Sequence, residues 1–221
     1  MTVLEVKDLY KSFSYPEKIM LFEGLNFSIQ KGQTIAVMGA SGEGKTTLLH
    51  ILGALEKKDS GDILFDGSSI DLIPSHIIRR KHVGFVFQSY NLIEDLTALD
   101  NILLPKKILG ERKDINYKKA LSLLDQVGLS KRAHFPVKLL SGGEKQRVAI
   151  ARSFINDPEI ILADEPSGNL DHKTSEAIHH LLISFAKKYG KSLIVATHDK
   201  TLASLCDEIY LLNDGKISKF H

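Results

Sequence analysis

A glycine-rich turn set between an apolar run and a helical stretch constrains this chain more than any other feature. Thr34-Ile35-Ala36-Val37-Met38 is short and apolar, the pattern of a strand buried on both faces. It leads into Gly39-Ala40-Ser41-Gly42-Glu43-Gly44-Lys45-Thr46, which fits G-x-x-x-x-G-K-[ST], and a helical stretch follows from about Thr46 to Leu55. The glycines let backbone N–H groups converge on phosphate oxygens, and the following helix N-terminus adds positive potential. Lys45 then reaches the β- and γ-phosphates of ATP, and the Thr46 hydroxyl ligates Mg²⁺. Thr47, in the same first turn, belongs with Gly39 to Thr46 in the expected ATP-binding set. A ligand-free strand–helix turn is the plainer alternative, but the full pattern in this context favours a P-loop. Glu43 places a carboxylate in an anion-binding loop; its side chain is expected to point outward and to weaken phosphate affinity somewhat.

The rest of the chain reads as α/β. Leu25 to Ile29 alternates like a strand with one buried face, and Asp62 to Phe65 and Val83 to Phe87 are further candidates, the first closed by Asp66-Gly67. From about Asn91 to Val148 strand signals vanish, and Leu121, Leu124 and Gly128 follow a helical pattern with a glycine stop. Ile160 to Ala163 and Ser192 to Ala196 restore buried strands. Between them Ile178, Leu181, Leu182 and Phe185 keep helical spacing, with Gly190 at the C-cap. Strands alternating with helices predict a parallel sheet with right-handed crossovers. The expected fold is a P-loop parallel-sheet core with N-terminal antiparallel β strands and an inserted helical subdomain, organised as one domain over 1–221, with an ATP-binding core of 1–90 and 157–221 and a helical subdomain of about 91–156.

Two further motifs carry chemistry. Ile160-Ile161-Leu162-Ala163-Asp164-Glu165 ends a buried strand in two acids, at the sheet edge where open α/β sheets bind ligands. Asp164 is placed to hold Mg²⁺ through water and Glu165 to polarise an attacking water. Read alone, this is equally a surface turn; beside a P-loop it is not. Leu140-Ser141-Gly142-Gly143-Glu144-Lys145-Gln146-Arg147 opens a helix running to about Ile155, and Ser141 with Glu144 fits a capping box. A capping box does not ask for two glycines in the first turn, where each costs helix stability. Bare N–H groups there suit a close phosphate. One phosphate cradle already exists in the chain, so the second is expected to serve a nucleotide held by another copy.

With these motifs in order along essentially the whole chain, the sequence resembles ABC transporter nucleotide-binding subunits. The resemblance implies that Ser141, Gly142, Gly143 and Glu144 form the signature that contacts ATP across a dimer. Gln88, after Gly84-Phe85-Val86-Phe87, matches the Q-loop and implies a link between Mg²⁺, water and the membrane-domain groove. His198, in Ala196-Thr197-His198-Asp199, matches the switch histidine, and Gly168-Asn169-Leu170-Asp171 matches the D-loop along the dimer seam. Phe13 stands where the family stacks an aromatic on adenine. Without the family it reads as core, with Tyr10 and Tyr15 as nearby rivals, and His198 as a strand-end histidine.

Phe87 to Ile93, Leu96 to Ile102 and Leu162 to Asp171 are together similar to the group holding lipoprotein-releasing (LolD type) and macrolide or antimicrobial-peptide exporter (MacB type) ATPases. Ser167 stands where Thr is commoner, and Glu43 where Ser is usual. The chain ends at His221, soon after Asp214-Gly215, so neither a C-terminal regulatory domain nor a fused membrane domain is expected, which favours the lipoprotein-releasing type. An FtsE-like cell-division ATPase uses the same cassette and stays as an alternative. A DNA-repair ATPase is disfavoured, because no long heptad run separates Lys45 from Asp164, and a translation factor would need two cassettes.

Composition closes off other classes. Net charge is +2, with 29 basic and 27 acidic residues interspersed, so no basic field for nucleic acid arises. The single cysteine, Cys206, excludes an intrachain disulfide and a cysteine-cluster metal site. No run approaches a membrane span or a signal peptide. The expectation is a homodimer of ATPase subunits bound to integral membrane subunits, peripheral on the cytoplasmic face of the bacterial inner membrane, with ATP and Mg²⁺ as ligands.

Overall fold

The computed structural model describes residues 1–14, 19–110 and 113–220. Along the chain, β1 (Thr2–Phe13) and β2 (Ile19–Gln30) pair antiparallel, and β3 (Thr34–Met38) runs through the P-loop into α1 (Lys45–Leu52). β4 (Ser60–Phe65) and β5 (Ser68–Ser69) form a hairpin, and α2 (Ser75–Lys81) leads to β6 (Val83–Val86). Then come α3 (Ala98–Ile108), α4 (Lys113–Gln126) and α5 (Gly142–Phe154). The remainder alternates: β7 (Ile160–Asp164), α6 (His172–Lys188), β8 (Ser192–Ala196), α7 (Lys200–Ser204), β9 (Glu208–Asn213) and β10 (Lys216–Phe220).

These strands make two sheets. One is antiparallel in the order β2-β1-β4-β5; the other runs β10-β9-β3-β8-β7-β6, parallel except for the β9–β10 hairpin at its edge. The fold is thus α/β, with an antiparallel N-terminal sheet, a largely parallel central sheet and a helical insert. The central strands are apolar throughout because both their faces are covered. Ile160 and Leu162 join an apolar cluster with α1 and the antiparallel sheet, while Ile161 and Ala163 join a second one with α3 to α6. Register fixes the site: Val37 of β3, Ala196 of β8 and Asp164 of β7 lie in one row across the sheet. The loops after all three strands therefore leave the sheet at one level.

Local signals place the helices. Asp171 caps α6 by accepting from the Thr174 N–H, and Ile178, Leu182 and Phe185 turn inward, with Leu181 half-buried. Gly190 (φ 62°) follows its C-terminus, as Gly128 (φ 73°) follows α4. α1 stops at Leu52, short of the expected Leu55, because Gly53 and a left-handed Ala54 (φ 53°) turn the chain. The β1–β2 pair supplies the expected N-terminal antiparallel strands, while the sequence pattern marks no bounds for β1, β9 or β10. Over residues 91–148, the described β interaction is an isolated bridge between Thr97 and Pro136.

Candidate active site

The first turn of α1 begins at Gly44, whose left-handed backbone (φ 93°) and crowding permit no side chain. A Cβ there would lie 2.9 Å from Leu21 Cγ and 2.9 Å from Phe22 Cε1. No side chain caps this helix, so its leading N–H groups remain open to an anion. Lys45 is nearly buried, and its ammonium donates to the carbonyls of Gly39 (2.8 Å) and Ala40 (2.9 Å). A cleft of about 790 Å³ opens over this loop, lined by Gly39 to Gly42, Gly44, Lys45, Thr46, Thr47 and Leu21, and reached by Phe13, Gln88, Glu165 and His198. Phe13 is 40% exposed, and the Lys11 ammonium sits 4.7 Å from its ring centroid. Tyr10 does not line the cleft, and Tyr15 lies outside the described residues. Glu43 also stays out of the lining: its Oε2 accepts from the Asp214 backbone N–H at 2.9 Å, in the β9–β10 turn.

At the neighbouring strand ends, the Thr46 hydroxyl donates to Asp164 Oδ1 at 3.1 Å. Burial pushes the Asp164 carboxyl above its ordinary pKa, with the Thr46 bond opposing the shift. A desolvated carboxylate beside a hydroxyl, both hard oxygen donors, fits Mg²⁺ that takes its other ligands from phosphate oxygens and water. Among the described residues no cluster of three or more His, Cys, Asp or Glu offers an all-protein metal cage. Glu165 has a left-handed backbone (φ 41°), and its N–H bonds the Ala196 carbonyl at 2.9 Å. Its Oε1 takes the His198 N–H at 3.1 Å and lies 2.8 Å from His198 Nδ1, while Oε2 accepts from the Thr197 hydroxyl at 3.2 Å. The carboxylate is 17% exposed and the imidazole 75%, so a sheltered acid carries a solvent-facing histidine.

Of the other residues the sequence singles out, Gln88 reaches the cleft and the Ser141–Glu144 and Asp171 positions do not. Gln88 lines it, yet its amide donates to Asn169 Oδ1 at 3.3 Å, and Asn169 Nδ2 donates back to the Gln88 carbonyl at 3.1 Å. Ser141 caps α5 in a full capping box with Glu144, which also pairs with Arg132 at 3.3 Å. The Ser141 N–H holds the Glu144 carboxyl below its ordinary pKa. Ser141, Gly142, Gly143, Glu144 and Asp171 do not line the chain's own P-loop cleft. The paired glycines also have a packing reason that sequence reasoning lacked. A Cβ at Gly142 would meet Tyr90 Oη at 2.9 Å, and one at Gly143 would meet Thr174 Cγ2 at 2.6 Å. Thr197 and Asn169 stand inside motifs the sequence marks, but their contacts with Glu165 and Gln88 are not encoded there. Thr197 is 1% exposed at a strand end, and a polar residue abutting His198 was the one available signal.

Comparison with known proteins agrees along nearly the full length. The family described as ABC transporter matches residues 22–168. The lipoprotein-releasing system ATP-binding protein LolD of Protochlamydia amoebophila is 46% identical over 217 residues, 96% of this chain and 95% of that protein. The LolD protein of Treponema denticola is 45% identical over 222 residues, 98% of each. A dimeric post-hydrolysis state of the ATP-binding cassette MJ0796, bound to ADP and Pi, aligns with a TM-score of 0.87 at 37% identity over 99% of both chains.

Proposed function

This chain belongs to the ABC transporter family and is one of its ATPase subunits; from that premise we propose that it powers lipoprotein release from the inner membrane. The observation that carries the catalytic reading is the Glu165–His198 pair (2.8 Å) facing the P-loop cleft beside Asp164 and Thr46. ATP enters with its phosphates on the N–H groups of Gly42 to Thr47, and Lys45 exchanges the Gly39 and Ala40 carbonyls for β- and γ-phosphate oxygens. Phe13 stacks on adenine with its ring face opposite Lys11. Thr46, Asp164 and Gln88 would hold Mg²⁺, which supplies charge neutralisation at the β- and γ-phosphates. Glu165 accepts a proton from a water whose oxygen attacks the γ-phosphorus. The bond to the β-phosphate oxygen breaks, leaving ADP and phosphate. His198 orients the carboxylate and contacts the γ-phosphate.

In this reading Ser141, Gly142, Gly143 and Glu144 of a second copy close over the γ-phosphate, and Asp171 runs along the seam. That none of them lines the chain's own cleft supports that reading. The segment of about 91–156 acts as a helical subdomain against the core of 1–90 and 157–221. Integral subunits anchor the dimer at the cytoplasmic face; among the described residues no helix is long and apolar enough to cross a membrane. Purification of the intact membrane complex, followed by ATP-driven release of a lipidated protein from vesicles, tests the assignment. Release that does not depend on ATP hydrolysis by this subunit contradicts it.

A further inference from the structure

One histidine of α6 lies inside the fold rather than on it. His179 is 1% exposed, its Nε2 lies 2.7 Å from Ser167 Oγ and 4.0 Å from Asp199 Oδ2, and its Nδ1 has no partner. Burial holds its pKa below the ordinary value, so the ring is neutral. The proton belongs on Nε2, where Ser167 accepts it and Asp199 favours it; on Nδ1 it would be a buried donor without an acceptor. Filling the core does not call for this residue. An apolar side chain of similar volume would leave no orphaned nitrogen and would give up only the bond to half-buried Ser167, which water can still reach.

The two groups His179 faces belong to the two turns that carry the catalytic pair. Ser167 lies in the turn that starts at Glu165 and is closed by the Gly168 N–H on the Glu165 carbonyl at 3.0 Å. Glu165 begins it from a left-handed backbone, a conformation its surroundings must hold in place. Asp199 follows His198 directly and caps α7, accepting from the N–H groups of Thr201 (2.7 Å) and Leu202 (3.0 Å). We propose that His179 is a positioning residue for ATP hydrolysis: it pins the Glu165–Gly168 turn through Ser167 and braces the Asp199 turn, keeping Glu165 and His198 in register. It touches neither nucleotide nor water. The inference rests on the reading of Glu165 as the proton acceptor.

The test is ATP turnover by the full chain carrying His179→Leu, Ser167→Ala or both, with thermal unfolding recorded beside it. His179→Leu is expected to lower kcat about tenfold, as misplacement of a reacting group does. KM for ATP should stay within about twofold and the melting temperature should fall by no more than about 2–4 °C. Ser167→Ala should do much the same, and the double variant should lose no more than either single one. In histidine-labelled protein, nitrogen-15 NMR of Ser167→Ala should show the His198 resonances moving together with those of His179, a readout independent of turnover. A kcat for His179→Leu within about twofold of wild type, losses that multiply in the double variant, or unmoved His198 resonances would each overturn the proposal. Near wild-type turnover by Glu165→Gln would instead overturn the role of Glu165 itself. Loss in Glu165→Gln with none in His179→Leu removes only the positioning by His179.

Discussion

The Glu165 carboxylate takes donors from Thr197 and His198, and a glutamine in its place keeps an oxygen for them while losing the ability to take a proton. Glu165→Gln is therefore expected to bind ATP nearly as wild type and to hydrolyse it about 10²- to 10⁴-fold more slowly, trapping the closed dimer. Single-turnover kinetics beside equilibrium ATP binding measure both, and a near wild-type rate removes the proton-acceptor role. Glu43 separates two effects that coincide in the sequence, its charge and its bond to the Asp214 N–H. Removing the charge should tighten ATP by at most about 1 kcal/mol, less in high salt. Glu43→Gln keeps an acceptor for Asp214, whereas Glu43→Ser does not reach it. The glutamine variant should thus bind ATP more tightly than the serine variant. Calorimetric titration at two salt concentrations decides; equal tightening by both would show that the tie to the β9–β10 turn does nothing for the loop.

The start of α5 shows how an element answers to its neighbours. Gly143→Ala would ordinarily stabilise a helix by about 1 kcal/mol. Here the new methyl would meet Thr174 Cγ2, and Thr174 cannot easily turn away because its hydroxyl donates to Asp171 at 2.6 Å. Overpacking costs about 1–3 kcal/mol, so net destabilisation is expected in urea unfolding; a stabilised variant contradicts the packing account. The same dependence on neighbours explains what could be read from the sequence. β3, β7 and β8 were legible because strands covered on both faces are unbroken apolar runs, and the P-loop, Asp164, Glu165 and His198 sit directly at their ends. β1 was not legible: its register shifts and the left-handed Asp8 (φ 45°) break the alternation. β9 does hold an apolar run, Ile209 to Leu212, so its signal was there to read, whereas the largely exposed β10 offers none. The partners of the site were hidden for a different reason. Asn169, Asp214 and His179 reach their contacts only after sheet register and helix packing bring distant segments together, and no local spacing encodes that.

At the scale of the whole molecule, one chain presents its P-loop, Glu165 and His198 around one cleft, with Asp164 bonded to Thr46 of its lining, while Ser141 to Glu144 are not part of that lining. In the proposed two-fold dimer the other copy's signature completes each cleft, so each site needs one P-loop and one signature from different chains. The direct test mixes a Lys45→Ala variant with a Ser141→Arg variant and measures ATP turnover. Each homodimer has two damaged sites, while a mixed dimer has one doubly damaged site and one intact. For independent sites an equal mixture should regain roughly a quarter of wild-type turnover, since half the dimers are mixed and each keeps one intact site of two. Turnover no greater than that of the separate variants, under conditions where mixed dimers form, would contradict the shared site and leave the Ser141-Gly142-Gly143 turn as the cap of its own helix.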